Sequence, residues 1–247
     1  MVTRPGVSFV VPVYNKAVYL ADVLASIRGQ IGDFDRQFVF IDDGSTDGSA
    51  ELLETLTAGW PNTIIYRQSN HGSAHATNQG IARASFPFVK FVDADDLIGL
   101  HATRLLLDPL LKDDKACLDY GSTMYYPPGG PLPDLTTVTE AGECRLIVEP
   151  LMPALRNSLF NPTQFLVRTD ALRQSGGCDE RIVHSQEYSL TLRLARVGYF
   201  LNIAAPVAYR PSSVPGSLGT HQGRQLERVR MSCAYFLRDH AGRAPAL

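Results

Sequence analysis

The chain lacks most of the features that would fix its class at a glance. Charged residues occupy only 19% of its 247 positions and the formal net charge is −2. No basic excess therefore points to nucleic acid, and no Lys/Arg block points to an anionic membrane. Long hydrophobic runs are missing too. Stretches such as Phe9–Val13 are far too short to span a bilayer, and Met1–Gly6 has no apolar region of the kind a signal peptide carries. There is no CxxC pair. Cys117, Cys144, Cys178 and Cys233 are widely spaced, which argues against a zinc site and suits reduced thiols in a cytoplasmic protein. No GxGxxG follows the first apolar stretch, as a dinucleotide-dependent dehydrogenase would require. Nor does that stretch end in a nucleophilic Asp of the phosphatase kind, because Tyr14-Asn15 stands there.

What the chain does have is an apolar fraction of 45%, enough for a sizeable core, and an alternation of short apolar runs with helical patterns over about its first 95 residues. Val7–Val13, Gln37–Ile41, Thr63–Arg67 and Phe88–Val92 read as strands. Val18–Ile27, Asp47–Leu56 (with Ser45 or Thr46 as cap) and a segment from Asn70 through Asn78 to Ala84 read as helices. This alternation predicts an α/β fold, a mostly parallel sheet flanked by helices. Ligands in such sheets bind beyond the carboxyl ends of the strands. Polar clusters fall at those ends: Tyr14–Lys16, Asp42–Asp47, Ser69–Ser73 and Asp93–Asp96.

The second half is less regular. His101–Leu111 and Ser185–Val197, with Ser185 as cap, read as helices. Cys117–Met124, Gln164–Arg168, Tyr199–Ala204 and Val207–Arg210 read as strands, and Gly176-Gly177 as a turn. The Pro- and Gly-rich Tyr125–Gly142 reads as a long loop. Gly219–His240 reads as a mostly helical tail with Arg224, Arg228 and Arg230 facing solvent or a partner.

The acidic stretch FVKFVDADDL, Phe88–Leu97, organises the rest. A buried strand that ends in clustered carboxylates is electrostatically costly unless a cation arrives, and hard divalent cations prefer carboxylate oxygens. An acidic turn capping the next helix is the plainer alternative.

As a set, VVPVYNKAVYL, FIDDGSTDGS, NHGSAHATNQGIARA, FVDADD and GGCDERIVHSQEYSLTLRLARVGY resemble the motifs of the family-2 glycosyltransferases of the GT-A fold, in that family's order and spacing, over most of residues 7–200. The resemblance implies one GT-A domain, with a nucleotide-binding half (7–100), a more irregular acceptor-binding half (101–210) and a helical tail (211–247). It implies a nucleoside diphosphate sugar as donor, UDP the expected nucleotide. Pro12 and Tyr14 would flank the base, with the Tyr14 ring available for stacking. Asp43 would accept a hydrogen bond from the pyrimidine N3–H, and Asp42 would be its structural neighbour.

Asp93-Ala94-Asp95 matches the family's DxD motif. Asp95 is the expected ligand of Mn²⁺ or Mg²⁺, and Asp93 would contact the ribose, the metal or a metal-bound water. Asp96 would support them or cap a helix. The family's base is the acid of an ED pair opening a late helix; here the pair is Gln186-Glu187, which makes Glu187 the base. His184 and, as a further metal or phosphate contact in the loop Arg210–His221, His221 are the weaker candidates.

Two departures stand out. Thr77 replaces an arginine that approaches the diphosphate, with His75 or Lys90 as conceivable compensation, and Glu187 replaces an Asp. The QxxRW signature of processive synthases is missing, so a single transfer per encounter is expected, in glycan or cell-surface polysaccharide synthesis. The acceptor would be a saccharide or a lipid-linked one, which would bring a cytoplasmic enzyme to the inner membrane surface. The departures keep open a second function, a catalytically degenerate homologue that binds a nucleotide sugar or serves as a scaffold.

Overall fold

The computed structural model describes residues 4–137, 142–182, 186–214 and 222–242. In chain order the elements are β1 (Gly6–Val13), α1 (Ala17–Arg28), β2 (Asp35–Asp42), α2 (Ser49–Leu56), β3 (Thr63–Arg67), α3 (Ser73–Arg83), β4 (Phe88–Phe91), β5 (Leu97–Ile98), α4 (Ala102–Lys112), β6 (Ala116–Tyr126), β7 (Cys144–Ile147), α5 (Leu151–Arg156), a 3₁₀ turn (Pro162–Gln164), β8 (Phe165–Arg168), α6 (Thr169–Ser175), α7 (Gln186–Leu194), β9 (Tyr199–Pro211) and α8 (Gln222–Asp239).

The strands form one mixed sheet in the order β3-β2-β1-β4-β8-β6-β9-β5, with β7 also paired to β9. The β3-β2-β1-β4 half is parallel, as the alternation predicts. β8 joins β4 antiparallel and turns the sheet into its irregular half.

The period-2 pattern of the strands divides the core between the two faces. Phe9, Val11, Phe38 and Phe40 point to one side, where Leu20, Val23, Leu24 and Ile27 of α1 and Leu106, Leu107 and Leu110 of α4 cover them. Val10, Val39, Ile41 and Val89 point to the other, against Ala74, Ala76 and Ile81 of α3 and, further along, Leu172 of α6 and Leu190 and Leu194 of α7. α3 lies so close to the sheet that a Cβ at Gly80 would meet Val10 Cγ1 at 2.2 Å.

Several expectations change. α2 is not capped by Ser45 or Thr46. Gly48 occupies the cap position, and Asp47 Oδ1 accepts the Ser49 N–H at 3.0 Å. α3 begins at Ser73, because the 70–72 backbone is bent around Asp43 instead. Tyr199–Ala204 and Val207–Arg210 are one strand. Pro206 does not break it, since it falls opposite Ser122 where the β6–β9 register shifts, a position that tolerates a missing N–H. β6 runs on to Tyr126, shortening the expected loop. β5, β7, α5 and α6 are additional elements. The four cysteines are free thiols. Ser185, His184, His221 and the greater part of the loop Arg210–His221 lie outside the described residues, as do 138–141 and the side chains of Arg224 and Arg228; Arg230 is exposed. No helix among the described residues is long and apolar enough to cross a membrane.

Candidate active site

Because β1 lies between β2 and β4 in parallel register, the turns that leave all three emerge on one edge of the sheet. The β1 and β2 exits are laced together. The Asp43 N–H donates to Val13 O at 2.8 Å, Asn15 Oδ1 accepts the Thr46 N–H at 2.8 Å, and Ser49 Oγ accepts the Lys16 N–H at 2.9 Å. Asn15 sits at φ +51°, a left-handed conformation that Asn tolerates, so the turn is sharp and Lys16 is aimed back along the sheet edge.

At the β2 exit Asp42 and Asp43 are both buried. Asp42 Oδ1 accepts the Ser45 N–H at 3.3 Å, and Arg67 lies 3.8 Å from Oδ2. Asp43 is more heavily engaged. Oδ1 accepts from Gln68 Nε2 at 2.7 Å and from the His71 N–H at 2.9 Å, while Oδ2 accepts the Gly72 N–H at 2.9 Å. Tyr14 is 47% exposed at the β1 exit, a free ring face and not a core aromatic.

At the β4 exit two of the three carboxylates, those of Asp95 and Asp96, are each paired with a cation of their own. Asp95 Oδ2 lies 2.5 Å from Lys16 Nζ. Asp96, fully buried, accepts from Arg210 Nε at 3.0 Å through Oδ1 and from Thr163 Oγ1 at 2.7 Å through Oδ2. It caps no helix. Thr163 Oγ1 in turn accepts the Asp93 N–H at 3.0 Å, and the Thr163 carbonyl accepts from the buried Lys90 ammonium, which also donates to Phe91 O. A chain of polar contacts thus runs from Arg210 through Asp96 and Thr163 to the backbone of Asp93.

Lys90 is therefore part of the support beneath the acidic tip. It is not a diphosphate contact, and burial lowers its pKa to about 7 against the pull of Asp96 and Asp93. His75 faces Gln68, behind Asp43, with Nδ1 and Nε2 of the pair 3.0 Å apart. The fully buried Lys90 thus does not stand in for the missing arginine, and His75 is engaged by Gln68.

Asp93 and Glu187 line the same cleft, with Pro12, Thr77, Phe91, Pro162, Phe165, Cys178 and Leu190. Glu187 is in the first turn of α7. Its carboxyl is pushed up to about 7, first by burial among these apolar walls and then by Asp93, with a backbone hydrogen bond and Arg210 working the other way. Burial also raises Asp93, where Asp95 adds to the effect and Arg210 opposes it. Burial works against the Arg210 charge, but Asp96, Asp93 and Asp95 outweigh it and hold its pKa above the ordinary arginine value.

Of the site residues expected from the sequence, Pro12, Asp93 and Glu187 line one cleft, with Asp95 two positions from Asp93. The sequence reading missed Lys16, Thr163 and Arg210 as members of the site. Asp179, in the turn before α7, is taken up by Arg181 and Arg193. No three His, Cys, Asp or Glu side chains among the described residues converge as a self-contained cation site. The donor set fits a hard divalent cation completed by oxygens from elsewhere, since Asp93 and Asp95 offer carboxylate oxygens only.

A mixed sheet whose parallel half opens onto an acidic tip, with a half-buried acid sharing that cleft from a later helix, has the architecture of the GT-A class. The pattern of Glycosyl transferase family 2 matches residues 8–176, and the chain belongs to that family. A poly-beta-1,6-N-acetyl-D-glucosamine synthase of Staphylococcus aureus is 29% identical over 110 residues, 44% of this chain and 26% of the relative. A chondroitin synthase of Pasteurella multocida is 28% identical over 199 residues, 81% of this chain and 20% of the relative. The chain thus spans about a quarter or less of these relatives' length.

Among solved structures, S. aureus TarS 1-349 in complex with UDP-GlcNAc superposes with a TM-score of 0.73 at 18% identity, covering 94% of this chain and 66% of that one. The mannosyltransferase PcManGT of Pyrobaculum calidifontis, in complex with GDP-Man and Mn²⁺, superposes at 0.67 with 22% identity, covering 99% and 67%.

Proposed function

We propose that this chain transfers a sugar from a nucleoside diphosphate sugar, UDP the expected nucleotide, to an acceptor hydroxyl in a single displacement that inverts the anomeric carbon. The observation that carries this reading is the meeting of Glu187 and Asp93 in one cleft at the strand exits. A carboxylate with a pKa of about 7 is matched to taking a hydroxyl proton near neutral pH. Glu187 would accept the acceptor's proton at a carboxylate oxygen while that hydroxyl oxygen bonds to the anomeric carbon and the diphosphate departs from the opposite face.

Pro12 and the exposed Tyr14 ring would flank the base, and the lone pair left on Asp43 Oδ2 would take the pyrimidine N3–H. Asp93 and Asp95 would hold Mn²⁺ or Mg²⁺, as the manganese in the PcManGT complex suggests. When bound, such a cation supplies positive charge to the departing diphosphate.

Residues 7–100 would form the donor half. Acceptor recognition would fall to 101–210, where Tyr125 stands across from Arg210 with two thirds of its surface exposed. The acceptor would be a saccharide, free or lipid-linked; the named products of the two relatives are polysaccharides.

The test is release of UDP from a panel of UDP-sugars with Mn²⁺. Glu187→Gln should keep UDP binding and lose roughly 10²–10⁴-fold in turnover; undiminished turnover would overturn the assignment. The second reading, a non-catalytic nucleotide-sugar binder, is favoured by Thr77, which lines the cleft with no charge to offer a phosphate. UDP binding in calorimetry without turnover on any donor and acceptor would select it.

A further inference from the structure

Three cations among the described residues surround the acidic tip, and they are not alike. Lys90 is fully buried and donates to two backbone carbonyls. Arg210 is tied to Asp96. Lys16 lies on the solvent side, 22% exposed, with Nζ 2.5 Å from Asp95 Oδ2. Its backbone is pinned by Ser49 and its ammonium lies 5.6 Å from the centre of the Tyr19 ring, but the rest of the side chain is a flexible four-carbon stem. The residue expected to ligate a divalent cation is therefore already neutralised by an ammonium group of the chain itself.

We propose that Lys16 is the resident counter-ion of Asp95, and that it makes divalent-cation binding conditional on the nucleoside diphosphate. The proposal rests on the cation role given to Asp95 above. A dication arriving alone must displace the ammonium from a carboxylate that is only 14% exposed, and it then leaves two positive groups close together in a half-buried site. Both steps oppose binding.

A dication arriving with a diphosphate meets a different balance. The phosphate oxygens accept the displaced Lys16 N–H donors, and the ammonium that repelled the cation now helps to hold its counter-anion. The same swing gives the phosphates the cationic contact that Thr77 does not supply. Cation and nucleotide should then bind with positive coupling, and by linkage each should tighten the other by the same factor.

The experiment is calorimetric titration of Mn²⁺ into the protein with and without UDP, backed by the electron paramagnetic resonance signal of free Mn²⁺. In the wild-type protein UDP should tighten Mn²⁺ by a factor within the roughly 5–150-fold span of ordinary coupling. Lys16→Met should bind Mn²⁺ alone about tenfold more tightly and lose most of the gain from UDP, whereas Lys16→Arg should retain the gain. Lys16→Gln provides the same readout should the methionine variant fail to fold. Unchanged Mn²⁺ affinity and unchanged gain in the neutral variants, with Asp95→Asn still abolishing Mn²⁺ binding, would overturn the role of Lys16 alone. Mn²⁺ binding indifferent to Asp95→Asn would overturn the cation reading of the site and this inference with it.

Discussion

Arg210 Nε lies 3.0 Å from Asp96 Oδ1, and a two-residue strand brings them together. β5 pairs Leu97 with Tyr209 in antiparallel register, which sets the residue before Leu97 beside the residue after Tyr209. The pair closes the C-terminal end of β9 onto the acidic tip and orients the Asp96 carboxylate toward Thr163. Removing the guanidinium leaves a fully buried carboxyl without its counter-charge. Arg210→Met is expected to destabilise the fold by about 3 kcal/mol, and the double variant Arg210→Met with Asp96→Asn by less than the sum of the two single changes. Urea denaturation of the four proteins gives the coupling energy; strict additivity would show that the pair is energetically idle.

How much of this was legible beforehand depends on the range of the signal. The acidic tip could be read because an apolar run ends in three carboxylates within four residues, and β1, β2 and β4 because each is an uninterrupted buried strand. Glu187 was legible only through the resemblance; a lone Glu in a helix first turn has no distinctive pattern. β5 is two residues long and has no period to detect. Arg210 reads only as the end of a short strand and the start of a loop, because the contact that draws it to the site comes from Asp96, 114 positions away. Pro206 suggested a break, since a sequence does not disclose where two strands slip register. Ser45 and Thr46 are sound caps by type, but the hydroxyl of Ser45 is drawn to the Asn15 N–H, and Asp47 takes the helix end.

The raised Glu187 carboxyl predicts two opposite trends with pH. As a base it works when ionised, so kcat/KM should rise with pH and level off above about 7. Stability should move the other way. In the unfolded chain Glu187 releases its proton near the ordinary value of 4.5, whereas the folded protein holds it to about 7. Between those values the native state binds more protons, so stability falls as pH rises. Glu187→Gln should remove its share of that fall in a thermal denaturation series from pH 4 to 8. An identical slope in the variant would mean that the carboxyl titrates normally.

The contact between α3 and β1 predicts a packing defect of the opposite kind. Alanine is the better helix former by about 1 kcal/mol, but the Cβ of Gly80→Ala would sit 2.2 Å from Val10 Cγ1. Overpacking of this kind typically costs about 1–3 kcal/mol, so the variant should be less stable despite its propensity. Val10→Ala should recover part of the loss in the Gly80→Ala background while destabilising the wild-type protein. Chemical denaturation of the four combinations checks this; a Gly80→Ala protein more stable than wild type would show that the helix can lift off the sheet without penalty.

Asp119 has no evident part in the chemistry and yet should weigh on stability as the pH rises from acid to neutral. It is fully buried on β6, where its pairing partners are Leu166 of β8 and Leu201 of β9. Neither carboxyl oxygen has a hydrogen-bond partner among the described residues. Burial pushes its pKa up to about 8, with only the neighbouring Tyr120 backbone pulling it slightly the other way, so the folded protein keeps it protonated at neutral pH. The unfolded chain ionises it near 3.8. Through the interval between the two values the native state holds the extra proton, and stability drops steadily with rising pH until about 8.

Asp119→Asn removes the titration while keeping the shape. The variant should match the wild type near pH 4, where both side chains are neutral, and exceed it in melting temperature by a margin that widens toward pH 8 and then stays constant. Asp119→Leu, apolar among apolar neighbours, should widen the margin further if the enlarged side chain is accommodated. Parallel melting curves for Asp119→Asn and wild type across this range would mean that water or a partner group reaches the carboxylate after all.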